Sequence, residues 1–245
     1  EAPGCQLTCL LVDDGLLLDA GSVTASLSID AQATVDHILV THAHLSHVAG
    51  LAYLADNLCG VRSRPIEIWS IPPVLHQLKT HLLNGILWPD FSVIPSPLRP
   101  TLSFHELVEG RPQQIGRHEV TAVAVHHTVE AVGYVISDGA SSLLYQGDSG
   151  PTTELWRLAN RTANLDAIIA EASWPNRFGD LALRAGHLTP AMLRAELSQL
   201  TVQTSVYAHH MKPKYFSEVV EELAALSDPR VLPLDQGKTY IFGSP

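Results

Sequence analysis

The chain has 245 residues, of which 46% are hydrophobic and 16% charged, a composition typical of a compact soluble domain. We expect one domain over residues 1–245, a length near the upper limit for a single hydrophobic core. The formal net charge of −10 argues against a protein that binds the nucleic-acid backbone, and no apolar run reaches the length of a membrane span. We therefore expect neither nucleic acid nor a membrane as a partner.

The three cysteines, Cys5, Cys9 and Cys59, are too few and too irregularly spaced for a disulfide framework. Free thiols are typical of a reducing compartment, and the first residues lack the basic and apolar segments of a targeting signal. We expect a cytoplasmic location. A periplasmic or secreted location stays open, because the sequence starts at Glu1 rather than Met and a signal could have been removed.

The first predicted elements are a hairpin, a strand and a helix. Residues 7–12 and 16–18 flank Asp13-Asp14-Gly15, a pattern that predicts a β-hairpin. The apolar run 37–40 predicts a buried strand, and residues 48–58 predict a helix.

The rest of the chain alternates between predicted strands and helices. The predicted strands are residues 65–70, 120–125, 133–137, 142–145, 165–170 and 204–208. The predicted helices are residues 73–83, a helix that starts at Pro190 with Thr189 as its cap, and residues 217–226. The proline-rich segment 88–100 predicts a long surface loop. Polar residues repeatedly follow strands at their carboxyl ends, which favours two sheets with outer helices.

Three histidines, His42, His44 and His47, lie within six residues between the predicted strand 37–40 and the predicted helix 48–58. In an extended chain, His42 and His44 point to the same side, and His47 can approach from another direction. Neutral imidazoles in such a cluster bind metals such as zinc. The alternative is three solvated loop histidines.

This stretch resembles a metal-binding signature. It is similar to the HxHxDH motif of the metallo-β-lactamase fold, and the longer run 42–51 resembles the HxHLDHxxGL signature of class II cyclic-nucleotide phosphodiesterases. One position departs from both patterns, because Ser46 stands where the family has aspartate. Residues 81–91, 147–151, 171–176 and 186–190 resemble further motifs of the same phosphodiesterase class. The resemblance implies an α/β (α+β) fold, the four-layer αββα sandwich.

The resemblance also implies a set of metal ligands. One ion would bind His42, His44 and His127, and Asp148 would bridge to a second ion held by His47 and His210. His126 and His209 are the alternatives to their neighbours. The cofactor implied is Zn2+, as one or two ions, with Mn2+ or Fe left open. Asp19 resembles the aspartate that braces the metal-binding loop, and a turn residue is the alternative.

The implied reaction is the opening of cyclic AMP or cyclic GMP to the 5′-nucleotide by metal-activated hydroxide, with Asp148 at the metal centre. By resemblance to the related ribonuclease Z group, His187 would act as general acid to the leaving oxygen, oriented by Glu171. The alternatives are a loop histidine before a helix cap and an ordinary salt-bridge glutamate. The substrate would be a small cyclic nucleotide, and the sequence leaves open whether the chain forms a homodimer.

Ser46 weakens the implied second metal site, because a hydroxyl is neutral and ionises reluctantly. We expect Ser46 to cap the following helix, a role that Ser and Asp share. Two alternative functions stay open for this reason. One is another hydrolase of the same fold with a mononuclear site, and the other is a catalytically weakened metal-binding protein.

Overall fold

The structure is a computed structural model that describes residues 2–243 and divides into two compact units. The first unit comprises Pro3–Val108, and the second comprises the described residues from Glu109 onward. The single domain expected over residues 1–245 stays a prediction. No helix within the described residues is long and apolar enough to cross a membrane.

The first unit contains a mixed five-stranded sheet with helices. The strands of this unit are β1 (Leu10–Val12), β2 (Leu16–Leu18), β3 (His37–Leu39), β4 (Ile66–Ser70), β5 (Pro95–Ser96), β6 (Arg99–Pro100) and β7 (Leu102–Glu106). The sheet order is β1-β2-β3-β4-β7, in which β1 is antiparallel to β2 and the other neighbours are parallel. The helices are α1 (Val23–Ser26), α2 (Ile29–Gln32), α3 (Leu45–Leu58) and α4 (Pro72–Gln77), and α4 continues into a π-helical turn at Leu78–Leu82.

The predicted elements of the first unit are present, with shifted boundaries. The hairpin is confirmed as β1 and β2, and the buried strand is confirmed as β3. The proline-rich segment 88–100 contains only the two-residue strands β5 and β6. The helix predicted at residues 48–58 begins three residues earlier, at Leu45.

The second unit contains a seven-stranded sheet with helices. Its strands are β8 (Gln113–Ile115), β9 (His118–Ala124), β10 (Val132–Ser137), β11 (Ser142–Tyr145), β12 (Leu165–Glu171), β13 (Ser205–His209) and β14 (Val231–Pro233). The sheet order is β14-β13-β12-β11-β10-β9-β8. The helices are α5 (Glu154–Ala159), α6 (Gly179–Arg184), α7 (Pro190–Leu197) and α8 (Phe216–Ala225), with 3-10 turns at Asn176–Phe178 and Pro213–Tyr215.

The direction of these strands brings several loops to one edge of the second sheet. Neighbouring strands from β11 to β14 are parallel. Each neighbouring pair from β8 to β11 is antiparallel. Strand β9 therefore runs in the same direction as β11, β12 and β13. Because the carboxyl ends of strands with one direction meet at the same edge, the residues after β9, β11, β12 and β13 are neighbours.

Strand and helix formation in the second unit follows its burial pattern. In β12, every residue except Asp166 is buried, as is typical of a central parallel strand covered on both faces. Its apolar side chains join a core with Trp156 and Leu193. The prediction that Thr189 caps a helix starting at Pro190 is confirmed, because its hydroxyl accepts a hydrogen bond from the Met192 amide.

Candidate functional site

A buried carboxylate organises the first unit at the carboxyl ends of β2 and β3. Asp19 follows β2, and Thr41 lies two residues beyond β3, its parallel neighbour in the sheet. Asp19 is fully buried and accepts hydrogen bonds from the Thr41 amide (2.8 Å) and from Thr41 Oγ1 (2.9 Å to Oδ2). Asp19 thus braces the loop that follows β3, the role that the resemblance implied for it.

The same carboxylate orients His47. Its Nδ1 lies 2.7 Å from Asp19 Oδ2, in a pair from which solvent is fully excluded. A carboxylate is an acceptor, so Nδ1 carries a proton and donates it, and Nε2 is the nitrogen that the ring presents away from Asp19. A metal-binding histidine commonly donates its other ring N–H to a carboxylate in this way.

Thr41 orients His42 through its hydroxyl. Its Oγ1 lies 3.0 Å from His42 Nδ1 and donates its own hydrogen to Asp19. Because that hydrogen is used, the hydroxyl accepts from His42 Nδ1, which again leaves the lone pair on Nε2. The His42 ring centre lies 4.2 Å from that of His47 and 4.7 Å from that of His44. The structure therefore brings all three predicted histidines of this unit together.

The start of α3 corrects two predictions about this stretch. His44 is the N-cap of the helix, so Ser46 is its second residue and does not cap it. For the same reason, His47 lies in the first helical turn and not on the loop. The helix can approach the carboxyl end of β2 because Gly50 has no Cβ, which would lie 2.6 Å from the Ala20 carbonyl oxygen. The amide of Ala20 donates to the His47 carbonyl (2.7 Å), which fixes the approach.

In the second unit, four strand ends supply the predicted residues. His127 follows β9, Asp148 follows β11, Glu171 ends β12, and His210 follows β13. The ligand atoms of His127, Asp148 and His187 all lie within 4.8 Å of one another. The structure thus brings together three predicted site residues from segments far apart in the sequence.

Gly186 holds His127 in place. The Gly186 carbonyl oxygen lies 2.8 Å from His127 Nδ1, which therefore donates and leaves Nε2 free of this contact. Gly186 has a φ of +65°, and a Cβ there would lie 2.9 Å from the same nitrogen. Only glycine meets both conditions without strain. The adjacent His126 is exposed, and its backbone amide donates to Ser149 Oγ (3.3 Å).

Glu171 is the second buried carboxylate, and it orients His187. It is fully buried, and its Oε1 lies 2.8 Å from His187 Nδ1. Its two oxygens also accept the amides of Ser149 (2.8 Å) and Leu188 (3.1 Å). Ser173 Oγ lies 3.3 Å from the same ring nitrogen. The contact predicted between Glu171 and His187 is present, and the same carboxylate also holds the backbone next to the ring.

His210 contacts Asp148, with 3.1 Å between Nε2 and Oδ2. Its backbone has a φ of +60°, a left-handed conformation that is uncommon for residues other than glycine and recurs at functional sites. The ring of the adjacent His209 lies 5.5 Å from that of Tyr145. The assignment of these residues as metal ligands, and of Asp148, Glu171 and His187 as catalytic, stays a prediction.

Sequence reasoning missed three residues that shape these clusters. Thr41, Ser173 and Gly186 contact His42, His187 and His127, respectively. The signal for Thr41 was its position directly before the first histidine. The other two contacts join segments 14 and 59 residues apart, a pairing that only the tertiary fold specifies.

Cys9 is a third group associated with Asp19. Burial, together with the charge of Asp19, raises the pKa of the Cys9 thiol to about 12. Metal binding and nucleophilic attack need the thiolate, so a thiol with this pKa is inert near neutral pH. The three cysteines are free thiols, as predicted.

The donor chemistry of both clusters fits a metal ion. Each offers imidazole nitrogens whose partner nitrogen donates to an oxygen, and the second adds the buried Asp148 carboxylate. Histidine with carboxylate suits zinc and other first-row transition metals. The chain therefore contains His and Asp groups able to bind a metal. The donor set is compatible with several of these metals.

The sequence matches a known family over most of its length. A profile described as the beta-lactamase superfamily domain matches residues 16–211. The chain is 26% identical over 224 residues to a 3′,5′-cyclic-nucleotide phosphodiesterase of Aliivibrio fischeri, covering 76% of this chain and 66% of that protein. It is also 29% identical over 127 residues to ribonuclease BN of Cronobacter sakazakii, covering 50% of this chain and 38% of that protein. The chain thus spans about two fifths to two thirds of the length of these relatives.

Solved structures show the same fold. The metallo-beta-lactamase fold protein YhfI from Bacillus subtilis superposes with a TM-score of 0.75 at 15% identity, over 97% of this chain and 92% of that one. This likeness confirms the predicted fold class. The chain belongs to the beta-lactamase superfamily and has the metallo-β-lactamase fold.

Proposed function

We propose that this chain is a metal-dependent phosphodiesterase that opens 3′,5′-cyclic nucleotides to 5′-nucleotides. The observation that carries the proposal is the buried Glu171–His187 pair, 2.8 Å apart, whose histidine groups with His127 and Asp148. The similarity to the Aliivibrio fischeri phosphodiesterase supports the choice of substrate. The partner is then a small molecule rather than a nucleic acid or a membrane.

We propose six metal ligands from four segments of the sequence. They are His42, His44, His47, His127, Asp148 and His210. We propose Zn2+ as the metal, as one or two ions. When bound, it would lower the pKa of a water molecule and stabilise negative charge on the phosphate.

The chain's own residues handle the proton of the leaving oxygen. Glu171 fixes the His187 ring through Nδ1, so Nε2 is the nitrogen that can deliver a proton. A general acid must carry a proton at the nitrogen that faces the leaving oxygen, and the bond to Glu171 aims Nε2 for that role. After the phosphodiester bond breaks, the proton from Nε2 would complete the sugar hydroxyl of the product. The ring is 8% exposed, which limits competing proton exchange with solvent.

A second candidate function is the hydrolysis of another phosphodiester, with one tightly bound metal. Two observations favour it: the similarity to ribonuclease BN over half of the chain, and Ser46 in place of a carboxylate. The net charge of −10 opposes RNA as the substrate, because RNA binding depends on neutralising phosphates. A smaller ester then fits this candidate better. A chain that binds metal without catalysis is the remaining alternative.

The test is hydrolysis by protein purified without chelator, with its metal content measured by elemental mass spectrometry. We expect loss of cyclic AMP or cyclic GMP, formation of the 5′-nucleotide, and abolition of both by EDTA. A panel of other phosphodiesters, lactones and thioesters runs in parallel. Turnover of a panel member without turnover of either cyclic nucleotide would favour the second candidate, and silence throughout would favour a metal-binding protein.

A further inference from the structure

A single lysine of the second unit stands out from the charge pattern around it. Lys212 lies two residues after His210 and is half-buried. It forms no ion pair with any described carboxylate, although the protein carries a net charge of −10. A half-buried cation without a counter-ion is costly unless it has another partner. The chain therefore holds an available positive charge next to proposed site residues.

The backbone of Lys212 is tied to the Glu171–His187 pair. Its amide donates to the Ser173 carbonyl oxygen (3.0 Å), and Ser173 Oγ lies 3.3 Å from His187 Nδ1. Its carbonyl accepts the amide of Tyr215 (2.9 Å), and Lys212 is the N-cap of the 3-10 turn Pro213–Tyr215. Lys212 is thus fixed one hydrogen-bonded residue away from the proposed proton donor.

Trp174 fixes the side chain of Lys212. The ammonium Nζ lies 5.8 Å from the centre of the Trp174 ring, within the range of a cation–π interaction. The indole packs against the rings of Phe178 and Tyr215, whose centres are each 5.8 Å away. The backbone amide of Trp174 donates to the Leu188 carbonyl (3.3 Å). A ring attracts an ammonium without neutralising it, so the charge stays available to an anion.

The neighbouring cations differ in this respect. Arg177 packs on the same aromatic cluster, 4.0 Å from the centre of Phe178, but both oxygens of Glu218 pair with its guanidinium at 2.7 and 3.0 Å. That pair holds the pKa of Glu218 below its ordinary value. Lys214 lies 5.5 Å from the centre of Tyr215 and is exposed. Only Lys212 combines partial burial, an uncompensated charge and a link to His187 among these three.

We propose that Lys212 binds an anionic phosphoryl oxygen of the substrate, and that Trp174 positions its ammonium for this contact. A cyclic phosphodiester is a monoanion, and an ammonium is a compact donor that recognises such an oxygen as a point charge. The inference rests on the proposed function, because it assigns the group that grips that substrate. The contact exists before and during the reaction, so it contributes to substrate binding more than to turnover.

The experiment compares Lys212→Met with Lys214→Met, a matched loss of one lysine charge two residues away over a neighbouring ring. The substrate is cyclic AMP, and binding of inorganic phosphate is measured separately by calorimetry on the protein as purified. For Lys212→Met we expect KM and the phosphate Kd to rise about tenfold or more, with kcat within about twofold of the wild-type value. Lys214→Met should keep all three values, and Lys212→Arg should recover most of the phosphate affinity.

The outcomes separate this inference from the proposed function. If the wild-type protein turns over cyclic AMP and Lys212→Met keeps its KM and phosphate Kd, the inference is overturned and the proposed function stands. If neither cyclic nucleotide is turned over, the proposed function fails, and phosphate affinity still decides the role of Lys212. Equal losses of phosphate affinity in Lys212→Met and Lys212→Arg would show a structural role and overturn the inference.

Discussion

The histidine clusters of the two units use the same device for different proposed purposes. In each, one fully buried carboxylate lies within 2.8 Å of an imidazole Nδ1: Asp19 with His47, and Glu171 with His187. Asp19 also accepts one backbone amide and Glu171 accepts two, so each ring is fixed relative to the end of a strand. In both cases the carboxylate sets the direction in which Nε2 points. The contact does not determine whether Nε2 binds a metal or donates a proton.

The difference lies in the state that Nε2 needs. A metal-binding histidine must present a lone pair there, whereas a general acid must present a proton. The proposal assigns the first state to His47 and the second to His187. His187 also groups with His127 and Asp148, so a ligand role is the competing assignment. Metal content and turnover, measured on the same variants, separate the two roles.

The largest expected effect is on turnover, from His187→Ala. Removing the proton donor should lower kcat by about 10²- to 10⁴-fold and leave the metal content per chain unchanged. The control is His126→Ala, which removes an exposed histidine next to a proposed ligand and should keep both values. Loss of metal from His187→Ala would show that His187 is a metal ligand. Glu171 and Asp19 would then both orient ligands, and the proposed general acid would be wrong.

The next effect is on metal binding, from Asp19→Asn. The amide that replaces one carboxylate oxygen cannot accept the hydrogen bonds of Thr41 and His47, so the ring loses its fixed orientation. We expect metal affinity to fall about 10- to 100-fold, and the free energy of unfolding to fall by about 2 kcal/mol. Competition with a chelator and denaturant unfolding measure the two, with the exposed turn residue Asp14→Asn as control. Unchanged metal affinity would mean that Asp19 only stabilises the fold.

The two clusters differ in how much of each could be predicted from the sequence. In the first unit, His42, His44 and His47 are consecutive in one short segment, so spacing alone indicates a cluster. In the second, His127, Asp148, Glu171, His187 and His210 come from five separate segments. Strand order brings these together, and single-sequence spacing does not contain it. Their selection depended on resemblance to motifs in the right order.

The helix start at Leu45 shows that local sequence patterns can also fail within one short segment. The apolar pattern predicted a start at Val48, because the polar residues before it read as loop. The structure continues the helix through Ser46 and His47, held by hydrogen bonds from the Ala20 amide to the His47 carbonyl and from the Gly50 amide to the Gly21 carbonyl. Those tertiary contacts have no local signal. The predicted cap at Thr189, by contrast, is a local interaction, and it is present.

A smaller effect should follow from Ser46→Asp, which restores the carboxylate of the family motif. If the first cluster is otherwise intact, an anionic oxygen there should increase affinity for the more weakly bound metal about tenfold and raise activity. The matched control is Ser217→Asp, because Ser217 is exposed and is also the second residue of its helix. Both substitutions place a negative charge near the positive end of a helix and should stabilise the protein by about 0.5 kcal/mol. Only a gain in metal affinity specific to Ser46→Asp therefore distinguishes them. Equal metal content and activity in both variants would show that Ser46 does not limit the site.

The smallest expected effect is on the pH dependence of stability. It concerns only the first unit, where the charge of Asp19 acts on the Cys9 thiol. The pKa of Cys9 is raised from an ordinary value of 9.0 to about 12, so the native state favours the protonated thiol. That stabilisation is fully present below pH 9 and is lost as the pH rises toward 12, because the unfolded chain ionises first. Between pH 9 and pH 10, the wild-type protein should lose about 1 kcal/mol more free energy of unfolding than Cys9→Ala. Denaturant unfolding at the two pH values measures this difference, and Cys59→Ala, which leaves Cys9 in place, should follow the wild-type protein. Part of the shift comes from the Asp19 charge, so Asp19→Asn should reduce the difference, whereas an undiminished difference would assign the shift to burial alone.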